Sequence, residues 1–194
     1  MLKINMGCGK RNFGPEWRHI DRADFPHIDS QDVTNLNYVD SSVDLIYASH
    51  LIAYFDRAEI IPILAEWQRV LKPGGCLRLA TPDWDVLRRM SAPLLGPLYG
   101  KMETQGTVIM QSKCGPPEYL PSSEKTTIYH KTVYSYKELK KLLTECGFRN
   151  VKYYDHRKTE HANTGNLNDK CDDHSAAYFK EILISLNIQC YKSS

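Results

Sequence analysis

The chain lacks any Cys-x-x-Cys pair: its six cysteines, at 8, 76, 114, 146, 171 and 190, are scattered. That spacing argues against zinc knuckles and a disulfide framework, and it fits a reducing cytoplasm. Cys76, Cys146 and Cys190 stand within or beside apolar runs, where small buried thiols are common. No apolar run approaches the ~20 residues of a membrane span, and the first residues lack a signal-peptide pattern. Neither sign of charge dominates, with 25 Lys and Arg against 23 Asp and Glu for a net charge of +2. Such a balance offers no electrostatic case for nucleic acid or an anionic membrane as partner. Internal repeats and low-complexity tracts are absent as well. What remains is ordinary: 194 residues, 42% hydrophobic and 25% charged, suit a single domain over 1–194 with a sizeable core.

Against that background, Leu2 to Gly9 stands out as a short apolar strand running into Gly7-Cys8-Gly9. Closely spaced glycines at a strand end let backbone N–H groups approach a ligand without hindrance from Cβ. A second strand, Trp17 to Ile20, ends at Asp21, and a third short segment ends near Asp32-Val33. Val43 to Ala48 reads as a buried strand leading into Ser49-His50. A helix starting at Asp56 places Ile60, Ile63, Leu64, Trp67, Val70 and Leu71 at 3/4 spacing, with Pro62 forcing either a late start or a bend. Leu71-Lys72-Pro73-Gly74-Gly75 then leads into a strand from Cys76 to Ala80, followed by a helix from Trp84 to about Met90. Alternation of this kind predicts a mostly parallel sheet with helices on its faces.

The rhythm breaks over 91–128, rich in glycine and proline, where an insertion would form a substrate lid or a packing or dimer segment. Order returns at Ser135 and Glu138, a capping-box pair opening a helix that stops at Gly147. A strand from Val151 to Tyr154 follows. Ile182, Ile184, Leu186, Ile188 and Cys190 alternate at period two as a final strand.

This order of motifs resembles the class I S-adenosylmethionine-dependent methyltransferases. It is most similar to small predicted methyltransferases associated with surface-polysaccharide biosynthesis. The resemblance runs over residues 2–90, with Leu-Lys-Pro-Gly-Gly its most specific match. It resumes at His130-Lys131, at Glu145-Cys146-Gly147-Phe148 and at Ile184-Ser185-Leu186-Asn187. It implies an α/β, Rossmann-like, mostly parallel seven-stranded sheet with an antiparallel last strand. Only 14 residues separate Gly7 from Asp21 and 11 separate Asp21 from Asp32, where a full first helix needs about 20. The first two helices are therefore expected to be shortened or replaced by loop. The thinly covered sheet face would then be closed by the insertion or by a second copy of the chain.

S-adenosylmethionine is the implied cofactor. Asp21, at the tip of strand two, could accept hydrogen bonds from both ribose hydroxyls; otherwise it is a surface-turn aspartate. Asp32 would take the adenine amino group with the Val33 N–H beside a ring nitrogen, and Asp24 and Asp29 lie close enough to compete. Gly7, Cys8 and Gly9 would carry the methionine tail, with Asn5 orienting its amino group, Ser49 nearby, and Lys10 and Arg11 available to its carboxylate. For a hydroxyl acceptor such as a sugar, His50 is the candidate base; its alternative is a helix-start residue bonded to backbone. Asp83 is a second catalytic candidate, with N-capping of the next helix as the alternative. The related branch carries a Glu-His pair where this chain has Ala53-Tyr54. A metal on Asp83, Asp85 and His174 lacks recognised ligand spacing, and none is expected. The expected partner is a small-molecule or saccharide substrate. Competing readings are a non-catalytic nucleoside-binding module, a nitrogen or nucleic-acid acceptor, and a nicotinamide oxidoreductase. The last lacks the third glycine needed to seat a helix under a pyrophosphate.

Overall fold

A computed structural model describes residues 1–89, 130–162, 178–179 and 181–193. The expected insertion over 91–128, Met90 and His174 lie outside the described residues. The chain forms β1 (Lys3–Met6), β2 (Trp17–Ile20), β3 (Val43–Ser49), α1 (Ile60–Val70), β4 (Leu71–Pro82) and α2 (Trp84–Leu87). The later elements are α3 (Tyr136–Glu145), β5 (Phe148–Tyr153), β6 (Tyr178–Phe179), β7 (Ile182–Leu183) and β8 (Ser185–Lys192). Six strands make one sheet in the order β2-β1-β3-β4-β8-β5, while β6 and β7 pair separately. The first four strands of this sheet run parallel, and β8 lies antiparallel to both β4 and β5.

Among the described residues the sheet has six strands, where seven are expected. The segment toward Asp32 touches β2 at a single bridge, Ile20 to Ser30. Asp29 and Ser30 satisfy the backbone of His19 and Asp21 there, and Asp32 then turns the chain through its bonds to Thr34. A crossover and a strand cannot both fit in so few residues, many of them polar turn formers. Neither 7–16 nor 21–42 contains a helix.

Alternation assigns the two faces of the sheet. Ile4, Met6, Ile46, Ala48, Leu77 and Leu79 face the core formed with α1 and α3. Within α1, Ile60, Ile63, Leu64, Trp67 and Val70 are buried, as their spacing requires. The helix starts four residues later than expected: Asp56 caps a preceding turn through the N–H groups of Ala58 and Glu59. Pro62 therefore falls in the first turn, where its missing N–H costs no intrahelical bond. The capping box of α3 forms in both directions, Glu138 N–H to Ser135 Oγ and Ser135 N–H to Glu138 Oε2.

On the opposite face Phe13, Trp17, Leu45 and Tyr47 cluster. Among the described residues, part of their cover comes from His161 and its neighbours. His161 stacks on Phe13 with centroids 4.9 Å apart and lies 4.0 Å from Tyr47. Glu160 pairs with Arg78 beside it.

Several strand boundaries differ from expectation, among them that of β5, which begins at Phe148 rather than Val151. β4 begins at Leu71 because Leu71 pairs with Val43, and the chain bulges before Cys76 resumes the ladder opposite Leu45. Gly75 suits that bulge, since a Cβ there would sit 2.8 Å from the Lys72 carbonyl oxygen. The alternating run from Ile182 divides at Ile184, whose carbonyl leaves the ladder to accept the Asp83 N–H.

Candidate cofactor and catalytic site

The carboxyl tips of β1, β2 and β3 meet at the glycine turn. Gly7 adopts φ +64°, and a Cβ there would lie 3.0 Å from two carbons of the Leu51 side chain. A glycine is required on both counts. The Gly7 N–H donates to the Ile20 carbonyl at 2.8 Å, tying β1's exit to the end of β2. The next residue on β2's exit, Asp21, accepts the Gly9 N–H at 2.7 Å and the Ala23 N–H at 2.8 Å. Each carboxylate oxygen thus holds one backbone donor and keeps acceptor capacity for another.

Two buried polar side chains line the same corner. Asn5 is 1% exposed and Ser49 4% exposed. Neither the amide of Asn5 nor the hydroxyl of Ser49 has a hydrogen-bond partner among the described residues. Asn5 stands opposite Tyr47, so Asn5 and Ser49 project from the same face on adjacent strands. Each unsatisfied buried polar group costs about 1–3 kcal/mol. A ligand bringing an ammonium and a carboxylate would satisfy them, so this corner fits the methionine tail of S-adenosylmethionine. Cys8, in the glycine turn, is fully buried. Burial, with the Asp21 charge behind it, pushes its thiol up to about 12. Its Sγ lies 3.9 Å from His27 Nε2, and the thiol is packing rather than a nucleophile.

Asp32 is not at a strand tip. It is exposed, and its Oδ1 accepts the Thr34 N–H and hydroxyl at 2.7 and 2.6 Å. Those bonds hold its carboxyl below the ordinary value. The Val33 carbonyl accepts the Trp67 indole N–H at 2.8 Å, anchoring this turn over α1. Between them and β2, Asp29 accepts the His19 N–H at 2.7 Å. The structure therefore joins Gly7, Asp21, Asn5 and Ser49 closely, and sets Asp32 and Val33 one turn further out.

His50 leaves β3 with φ +55°, a left-handed conformation that costs a non-glycine residue of order 1 kcal/mol or more. Its N–H donates to the Ala80 carbonyl at 2.7 Å. Its ring is 8% exposed, with Nε2 3.2 Å from Ser185 Oγ. Ser185 Oγ in turn donates to Asn187 Oδ1 at 3.1 Å. Ser185 and Asn187 stand in the sequence within a stretch that carries the family resemblance, as polar members of an alternating strand, a pattern that normally marks a solvent face. Both are instead 3% exposed. His130 stands with its ring centroid 6.2 Å from that of His50, and Tyr54 packs on His130. Asp83 is the N-cap of α2: its Oδ1 accepts the N–H groups of Asp85 and Val86. Burial raises its carboxyl above the ordinary value. Among the described residues, no cluster of three or more His, Cys, Asp or Glu is arranged to hold a metal. A groove at the far end of the sheet, among Gly74, Arg149, Lys152, Tyr191 and Lys192, shares no residue with this site.

A sequence profile of a methyltransferase domain matches residues 6–79, the stretch that holds the glycine turn, Asp21 and His50. No curated protein matches by sequence. Solved structures share the fold. An S-adenosylmethionine-dependent methyltransferase from Methanosarcina mazei aligns over 99% of this chain and 92% of its own, at 17% identity and TM-score 0.57. The 1,6-didemethyltoxoflavin-N1-methyltransferase of Burkholderia thailandensis, solved with S-adenosylhomocysteine, aligns over 100% and 71%, at 11% identity and TM-score 0.53. Human N-acetylserotonin methyltransferase, solved with S-adenosylmethionine, aligns over 100% and 48%, at 13% identity and TM-score 0.53. The profile match spans less than half of the chain, and the solved structures, all below 25% identity, show that it shares their methyltransferase fold. No helix among the described residues is long and apolar enough to cross a membrane.

Proposed function

We propose that the chain methylates a hydroxyl of a sugar or another small polar metabolite, with His50 as the base. The observation that carries this reading is the close approach of Leu51 to Gly7, such that a Cβ on Gly7 would lie 3.0 Å from the Leu51 side chain. It sets His50, the residue before Leu51, beside the glycine turn at the carboxyl edge of the sheet, where open α/β folds bind ligands.

When bound, S-adenosylmethionine supplies an electrophilic methyl carbon on a sulfonium. Asn5 Oδ1 and Ser49 Oγ accept from the tail's ammonium, and the backbone of Gly7, Cys8 and Gly9 carries the tail past the strand end. Asp21 uses the acceptor capacity left beyond Gly9 and Ala23 to hold the ribose hydroxyls. Asp32 and the Val33 N–H take the adenine edge. His50 removes the acceptor's hydroxyl proton, and the Asp83 oxygen not used for capping holds a neighbouring hydroxyl. Alignment of this kind is worth up to about 7–11 kcal/mol, and a positioned base adds about 10²–10⁴-fold.

A nitrogen acceptor is the second reading, since one fold relative is named as an N1-methyltransferase. A neutral amine already carries its attacking lone pair and needs no base beforehand. Transfer of a labelled methyl group across panels of sugars and amines, with wild type and His50→Ala, separates the two. The hydroxyl reading expects saccharide turnover that falls by about 10²–10⁴-fold in the variant. Turnover confined to amines and unaffected by His50→Ala would refute it.

A further inference from the structure

We infer that Ser185 and Asn187 are positioning residues that hold His50 as the Nε2–H tautomer, leaving Nδ1 as its proton-accepting nitrogen. The inference deepens the proposed role of His50 as base and rests on that reading for its catalytic meaning.

The chemistry of the three groups fixes the direction of the chain. A serine hydroxyl has one proton to donate, and an amide oxygen can only accept. Ser185 spends its proton on Asn187 Oδ1 at 3.1 Å. The oxygen that faces His50 at 3.2 Å must therefore accept, which makes Nε2 the donor. A neutral imidazole has one N–H, so its basic lone pair sits on Nδ1.

The framework around this chain is rigid. Ser185 and Asn187 occupy β8 opposite Pro82 and Ala80 of β4. The His50 N–H bonds to that same Ala80. The backbone of His50 is thus fixed by one strand and its ring by the next. The Asn187 carbonyl accepts the Tyr154 N–H from beyond β5, which holds β8 from its other edge. Burial of Ser185, Asn187 and His50 strengthens these bonds by excluding competing water. A base whose tautomer is already set has no ring to reorient before it takes a proton, which is how ring-orienting partners act at other histidine sites.

The test is the tautomer itself, read by long-range ¹H–¹⁵N correlation on the full chain labelled in histidine, at a pH where His50 is neutral. His50→Gln assigns the signal. The inference expects a pyrrole-type Nε2 and a pyridine-type Nδ1 in the wild type. Ser185→Ala should average the two shifts, and Ser185→Thr, which keeps the hydroxyl, should restore them. With a methyl acceptor in hand, Ser185→Ala should lower kcat by about tenfold, a part of what a positioned base supplies, with cofactor affinity unchanged. An Asn187→Asp variant keeps an acceptor in place and should preserve the tautomer if Ser185→Ala does not fold. A wild-type Nδ1–H tautomer, as an Asn187 amide donating to Ser185 would produce, overturns the inference. So does a tautomer that Ser185→Ala leaves unchanged. An Nε2–H tautomer alongside a fully active His50→Ala would leave the positioning intact and refute the base instead.

Discussion

The carboxylate of Asp21 accepts the backbone N–H of Gly9 at 2.7 Å, so the acid at the end of one strand holds closed the glycine turn at the end of its neighbour. Its other oxygen takes the Ala23 N–H. Shape of the turn and charge beside it thus depend on one side chain.

Asp21→Ala should therefore lose more than a ribose contact. Hydrogen bonds to a charged group are worth about 1.5–3 kcal/mol each, so affinity for S-adenosylhomocysteine should fall by at least about tenfold. Asp21→Asn keeps an acceptor for Gly9 and should fall between wild type and Ala. Calorimetric titration gives both values, and circular dichroism should show the fold retained. Equal affinity in all three proteins would remove Asp21 from the site.

Gly7→Ala places a methyl group at φ +64° and 3.0 Å from Leu51. Strain of this kind costs about 1–3 kcal/mol. Thermal unfolding should show a lower Tm, and cofactor affinity should drop because Leu51 is displaced next to His50. An unchanged Tm would mean that the turn tolerates a side chain.

Cys8 gives a pH prediction with a definite sign. Its folded thiol is pushed up to about 12 from the ordinary thiol value near 9.0, mainly by burial. Between those values the unfolded chain loses a proton that the folded chain keeps. Stability is then intact below pH 9 and declines as pH rises toward 12, by up to about 1.4 kcal/mol per unit from this group. Urea unfolding at pH 8 and pH 10 should show a smaller alkaline loss in Cys8→Ala than in wild type. Identical losses would contradict the burial of the thiol.

Trp67 joins the core to the Asp32 turn. Its side chain is fully buried, and its indole N–H donates to the Val33 carbonyl. Trp67→Ala should cost about 3–5 kcal/mol. Trp67→Phe should cost less while still freeing the Val33 carbonyl. Chemical unfolding of the two variants measures the difference, and equal costs would show that the indole bond contributes nothing.

Much of this architecture could be read in the sequence, because the signals were local. The 3/4 spacing of Ile60 to Val70, the Ser135–Glu138 box and the apolar run into Gly7 each specify their own element. The Lys72-Pro73-Gly74-Gly75 run marked the entry to β4, although not that Leu71 would already pair with Val43. The missing strand near Asp32 was harder to foresee. Whether Asp29 and Ser30 bond to β2 or form a strand of their own depends on partners distant in sequence. Asn5, Asp21 and His50 could be placed at strand tips from motif order. Ser185 and Asn187 could not be linked to His50, because a polar residue in an alternating strand reads as solvent-facing until a loop covers that face. Here His161 and Glu160 provide part of the cover, and nothing in their local sequence marks them for it.

Titration of the wild-type chain with S-adenosylhomocysteine and, separately, with NADH tests the central claim most directly. The account predicts saturable one-to-one binding of S-adenosylhomocysteine, lost or much weakened in Asp21→Ala, and no saturable heat with NADH. Saturable binding of NADH, with no response to S-adenosylhomocysteine, would contradict it.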